Sequence, residues 1–134
     1  MALIKVAEIV VDPDGSLWIK ATDGVIPVSG SSGGSGTSHT GFDSPTHTAP
    51  AIATNSTLAL AANESRLYAL LVNDSDAIVY LALGAAASLN AGIRLNANGG
   101  AYEMSAAAGN LYTGAIYAIH GSTGDKVVLV TEGI

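Results

Sequence analysis

The sequence predicts an all-β protein in three parts: an N-terminal β-ribbon arm over residues 1–28, a flexible linker over 29–53, and a C-terminal antiparallel β-sandwich or small barrel of about seven strands over 54–134. Three observations predict it. Short runs rich in Val, Ile, Leu and Tyr recur from Ser56 onward, with Asn, Asp, Gly and Ser clusters about every 8 to 12 residues. The opening 28 residues hold similar runs around turn-forming residues. Between the two, GSSGGSGTSHTGFDSPTHTAP (Gly30–Pro50) is almost without large apolar side chains, so it cannot bury enough surface to fold alone.

In the arm, LIKVAEIVV (residues 3–11) is β-branched and alternating, which favours a strand. Asp12-Pro13-Asp14-Gly15 turns the chain, because proline presets φ and glycine accepts a positive φ. SLWIKA (16–21) returns as a second strand. Thr22-Asp23-Gly24 reverses again, and VIPV (25–28) is a short extended piece whose Pro27 suits an edge. A meander this small is marginal in water and needs a partner. Trp18 is the natural anchor for that contact, since interface hot spots favour Trp, and Ile4, Val6, Ile9 and Ile19 supply apolar surface beside it. The tether has a reach of roughly 25 Å as a flexible chain of its length.

The C-terminal strands are expected in STLAL (56–60), RLYALLV (66–72), AIVYLAL (77–83), IRLN (93–96), AYEMS (101–105), LYTGAIYAI (111–119) and KVVLVTE (126–132). In residues 66–72 and 77–83 both alternating sets are largely apolar. That predicts strands covered on both sides, by neighbouring structure or by another subunit. The Ala-rich GAAASLNAG (84–92) has room for one helical turn between Gly84 and Gly92. Many small apolar positions and few charges together predict a homo-oligomer.

Composition excludes several functions. Charged residues make up 12% of the 134 residues, about half the usual fraction of roughly 25%, and the net charge is −6. The five cations, Lys5, Lys20, Arg66, Arg94 and Lys126, are dispersed, so no basic surface for nucleic acid is expected. Without cysteine there is no disulfide framework, thiolate nucleophile or sulfur-rich metal site. No run approaches the roughly 20 apolar residues of a membrane span, and the charged, alternating start does not read as a signal peptide.

Candidate chemistry is sparse. His39, His47 and His120 are the only imidazoles, two of them in the tether, and they read as solvated residues rather than zinc ligands. Asp12–Gly15 and Asn73–Asp76 read as turns rather than calcium loops. The Asn-x-Ser/Thr triplets at Asn55, Asn63 and Asn73 read as turn composition. Tyr68, Tyr80, Tyr102, Tyr112 and Tyr117 read as half-buried sheet residues more than as a sugar platform. No nucleophile elbow, P-loop, dinucleotide fingerprint or carboxylate pair is evident. The expectation is no enzyme, no cofactor and no metal.

The stretch LALAANESRLYALLVNDSDAIVYLALG, followed by AGIRLNANGGAYEMS, LYTGAIYAI and KVVLVTE, resembles the small β-domains of virion accessory proteins of tailed bacteriophages, over residues 56–134. The resemblance implies a symmetric, usually trimeric, structural protein on a phage head, neck or tail. It implies a partner in the major capsid protein or another virion protein, and a location on the virion after assembly in the bacterial cytoplasm. It supplies no functional residues. The resulting expectation is a capsid decoration or cement protein docked through its arm at Ile4, Val6, Ile9, Trp18 and Ile19. The alternative is a neck or tail fibre that recognises a bacterial surface glycan.

Overall fold

The computed structural model describes residues 6–11, 13–15, 17–21, 24–27 and 41–134, and the chain divides into two compact units, Met1–Ser38 and His39–Ile134. The described residues contain no helix.

In the first unit, β1 (Val6–Val11), β2 (Leu17–Ala21) and β3 (Gly24–Pro27) form an antiparallel sheet in the order β1-β2-β3. Pro13, Asp14 and Gly15 turn the chain between β1 and β2, with Gly15 at φ 88°, a conformation glycine adopts without a steric penalty. β3 takes the edge, where Pro27 has no ladder bond to break.

The second unit holds nine strands in two antiparallel sheets. They are β4 (Pro45–Thr48), β5 (Ala51–Ile52), β6 (Thr57–Leu60), β7 (Tyr68–Asn73), β8 (Val79–Leu83), β9 (Ile93–Leu95), β10 (Ala101–Ser105), β11 (Ile116–His120) and β12 (Lys126–Gly133). The larger sheet runs β10-β7-β12-β4, with β5 also on β12, and the smaller runs β6-β11-β8-β9. Each of the seven segments expected from sequence overlaps an observed strand.

Alternation decides which side of each strand is dry. Ala69 and Leu71 on β7, Val128 and Val130 on β12 and Met104 on β10 are buried from the larger sheet. Val79, Leu81, Leu95, Ile116 and Ala118 are buried from the smaller, and all these residues belong to one apolar cluster. The two sheets therefore share a core in a sandwich-like arrangement.

Within the single chain β7 is covered fully on one side only. Leu70 and Val72 on the second side of β7 are only half-buried, and Leu129 beside them on β12 is 42% exposed. That side of the larger sheet faces outward. The smaller sheet is better covered on its outer side: Ile119, which alternates with core residues, is 9% exposed. The Ala-rich segment 84–92 is no helical turn, and it reaches over this sheet through two bonds. Ala87 N donates to Ser56 Oγ (2.8 Å), and Tyr80 Oη donates to Asn90 Oδ1 (2.8 Å).

The boundary of the globular unit also lies earlier than the linker assignment 29–53 has it. β4 and β5 fall inside that stretch and form one interrupted edge along β12, Thr48 opposite Val130 and Ile52 opposite Lys126. The break between them falls at Pro50, whose carbonyl still accepts from Val128 N (3.3 Å). Phe42 closes the near end, stacked on Tyr68 with ring centroids 4.9 Å apart. It lies against Gly133, where any β-carbon would collide with its ring.

Candidate functional site

Ribbon register decides which of the proposed docking residues share a side. Ile9 stands opposite Ile19, which stands opposite Ile26, while Val10, Trp18 and Pro27 are aligned in the neighbouring row. Because successive residues alternate, Ile9, Ile19 and Ile26 lie on one face and Trp18 on the other. The register shifts between Val6 and Glu8, so Val6, opposite Ala21, joins the face of Ile9 and Ile19. The first face is aliphatic throughout its paired positions, with Val11 opposite Leu17 as well. The second combines Trp18 with the Glu8–Lys20 pair of positions. Ile4 lies outside the described residues, as does His39.

Among the described residues of the second unit three polar side chains are buried: Arg66, Asn73 and His120. Arg66 is 1% exposed. Its Nε donates to Glu132 Oε1 at 2.7 Å, its Nη1 to the carbonyls of Tyr112 (2.7 Å) and Gly114 (3.1 Å), and its Nη2 to Ala61 O. Asn63 Nδ2 adds a bond to the same carboxylate oxygen at 3.2 Å. One guanidinium thus joins the segment before β7, the segment before β11 and the end of β12. Its planar fork suits this, since several donors are fixed in one plane.

Asn73, fully buried, does the same at the other end of the strands. Its Nδ2 donates to Ala77 O (2.7 Å), Leu95 O (3.2 Å) and Asn96 O (3.1 Å), and its Oδ1 accepts from Ser75 Oγ (2.6 Å). His120 is buried as well, which corrects its reading as a solvated residue. Ser122 N donates to its Nδ1 (3.1 Å), so Nε2 carries the proton and donates to Ile52 O (2.8 Å), tying β11 to the chain where it passes between sheets. These three residues hold loops in place. All three are buried and hydrogen-bonded to groups within the unit.

The five tyrosines are half-buried, as expected. Tyr68 Oη donates to Glu103 Oε1 at 2.8 Å. Burial raises its phenol above the ordinary value, and the hydrogen bond and charge of Glu103 raise it further. Asp76 pairs with Lys126 at 2.7 Å, and that hydrogen bond, followed by the ammonium charge, holds its carboxyl below the usual range. Among the described residues no group of three or more His, Cys, Asp or Glu is placed to hold a metal ion, and no helix is long and apolar enough to cross a membrane.

The globular unit is polar along its strand axis. The chain enters beside its last residue, Asp43 N and Ser44 N both donating to Ile134 O (3.0 and 3.2 Å). The loops 73–78, 96–100 and 121–125 cluster at the opposite end, through Asn98 N to Ser75 O (2.7 Å) and Asp74 N to Val127 O (3.2 Å). No protein-family model, curated protein or solved structure matches the chain.

Proposed function

We propose that this chain is a structural virion protein of a tailed bacteriophage, a capsid decoration or cement subunit that docks through residues 1–28 and projects the globular unit outward. The observation that carries the reading is the division of the chain into a three-stranded ribbon and a separate nine-stranded unit. A ribbon of three short strands has too little apolar area to be stable by itself, and needs a surface to cover it. Its register supports a wedge: an aliphatic face with Val6, Ile9 and Ile19, and a reverse face with Trp18, each covered by a neighbouring capsid protein. Ile4 belongs to the same proposed contact. Several ribbons on one oligomer gain avidity from each other.

The test is co-sedimentation of the full chain with particles that lack it. Ile19→Asp, which puts a charge in the aliphatic row, is expected to lower the bound fraction at least tenfold, as is removal of residues 1–28. Binding that is unchanged in both variants ends the docking role.

One observation favours a second reading, a neck or tail fibre that recognises a bacterial surface glycan. The loops furthest from the point where the chain enters are rich in Asn, Asp, Ser and Thr, the side chains that hydrogen-bond sugar hydroxyls. Binding of the full chain to host cells, lost when those loops are changed and retained when Ile19 is changed, selects this reading over the first.

A further inference from the structure

We propose that the outer face of the larger sheet seats a second copy of this chain, related to the first by a two-fold axis parallel to the strands. The face carries a row across four strands: Glu103 on β10, Leu70 on β7, Thr131 on β12 and His47 on β4. The next row holds Ala101, Val72 and Leu129. Its middle is apolar and open, with Leu129 42% exposed and Leu70 and Val72 half-buried. The segment 84–92 reaches over the other sheet.

The polar groups at the two margins choose the occupant and its orientation. An acid stands on one edge of the row and an imidazole on the other. His47 Nδ1 is joined to Thr131 Oγ1 at 3.0 Å, which leaves Nε2 for a partner. The cations of residues 41–134 are elsewhere: Arg66 is buried, Lys126 pairs with Asp76, and Arg94 lies opposite Tyr80 on the smaller sheet. A face-to-face copy turned about an axis parallel to the strands reverses strand order, so Glu103 of each copy meets His47 of the other. Val72 and Leu129 meet in the same exchange. Turning about the perpendicular axis stacks Glu103 on Glu103, which like charge disfavours, and leaves each His47 without a carboxylate partner. The face is therefore complementary to itself in one orientation, the requirement of an isologous pair.

That orientation keeps both copies pointing the same way. The two chains enter at one end, and the loops 73–78, 96–100 and 121–125 of both cluster at the other. With strands about 4.8 Å apart and residues about 3.3 Å apart, the shared rows span roughly 15 Å on a side. At about 450 Å² over both copies this lies below the roughly 1,200 Å² at which standard specific interfaces begin, so the pair is expected to be weak and transient and to form only at high concentration. It stands whatever the ribbon docks on, and narrows the oligomer expected from sequence to a pair rather than a trimer.

The test is sedimentation equilibrium of the full chain, with circular dichroism to check the fold of each variant. The wild type is expected to pass from one-chain to two-chain mass as concentration rises. Leu129→Glu, at an exposed position, is expected to keep the one-chain mass. Glu103→Arg and His47→Glu are each expected to weaken the pair several-fold, and the double variant Glu103→Arg/His47→Glu to restore it, because each arginine then meets a glutamate. A wild type that stays single or gathers in threes overturns the proposal. So does a Leu129→Glu chain that still pairs, or a double variant that pairs no better than the singles, which the perpendicular axis would produce.

Discussion

Replacing Arg66 by methionine separates a buried clasp from an ordinary surface ion pair. The side chains of Arg66 and Glu132 are 0% and 17% exposed. Removing one partner of a buried pair costs about 3–5 kcal/mol. Here the lost guanidinium also leaves the carbonyls of Ala61, Tyr112 and Gly114 without a donor, at roughly 1 kcal/mol each. Glu132 keeps its bond from Asn63 and some contact with water, so the carboxylate's share falls toward the low end. The expected loss is about 6 kcal/mol, on the order of ten-thousandfold in the folded ratio and a large part of the roughly 5–15 kcal/mol that holds a domain together. Glu132→Gln leaves an oxygen on Arg66 and all three carbonyl bonds, and is expected to cost about 1–2 kcal/mol. Urea unfolding followed by tyrosine signals reads the globular unit alone, since all five tyrosines lie between Tyr68 and Tyr117 while Trp18 belongs to the ribbon. A loss below about 1 kcal/mol for Arg66→Met, the range of exposed pairs, refutes the clasp. Equal losses for the two variants refute the weight given to the carbonyl bonds.

Two further outcomes follow from single contacts. Asp76 is held ionised by Lys126, so its folded pKa is depressed. Its stabilising contribution is present above the unfolded carboxylate value and is lost as pH falls through the folded one. Asp76→Asn is expected to flatten the acid side of the midpoint-versus-pH profile without changing the neutral-to-alkaline side, and a profile identical to wild type contradicts the pairing. Gly133→Ala drives a methyl into the Phe42 ring and is expected to cost about 1–3 kcal/mol, as over-packing does, and to loosen the Phe42–Tyr68 stack. Near-ultraviolet dichroism from those rings that is unchanged in the variant argues against the contact.

The seven strands from Thr57 to Gly133 were legible because each carries an apolar set at the two-residue period, between turn residues whose φ the structure uses. Asn98, in the Asn-Gly-Gly turn before β10, has φ 57°, and Gly99 has φ 110°. β4 was not legible. Pro45-Thr-His-Thr48 has no apolar alternation and is exposed at every residue. It is a strand because β12, eight residues long, has backbone groups on that side to pair, and tertiary pairing overrides a weak local preference. His120 carried a signal that went unread: it continues the alternation of Ile116 and Ala118, which places it on the core side. Arg66 carried none. A lone arginine before an apolar strand reads as a solvated end, and its partner Glu132 is 66 residues away in the chain, a pairing no local pattern reports. For the docking residues, composition selected Val6, Ile9, Trp18 and Ile19, but register was needed to separate Trp18 from the rest.

The register of the ribbon and the proposed pairing of the globular units bear on one another. On the proposed reading, a ribbon whose aliphatic row and Trp18 lie on opposite faces suits a seam between two capsid proteins better than the surface of one. A weak pair of chains carries two such ribbons. Binding at the first seam then raises the effective concentration of the second ribbon, so two contacts that are each modest combine into one that is slow to leave. On the proposed reading, the Glu103–His47 contact therefore serves the attachment as well as the pair, because it joins two anchors in one assembly.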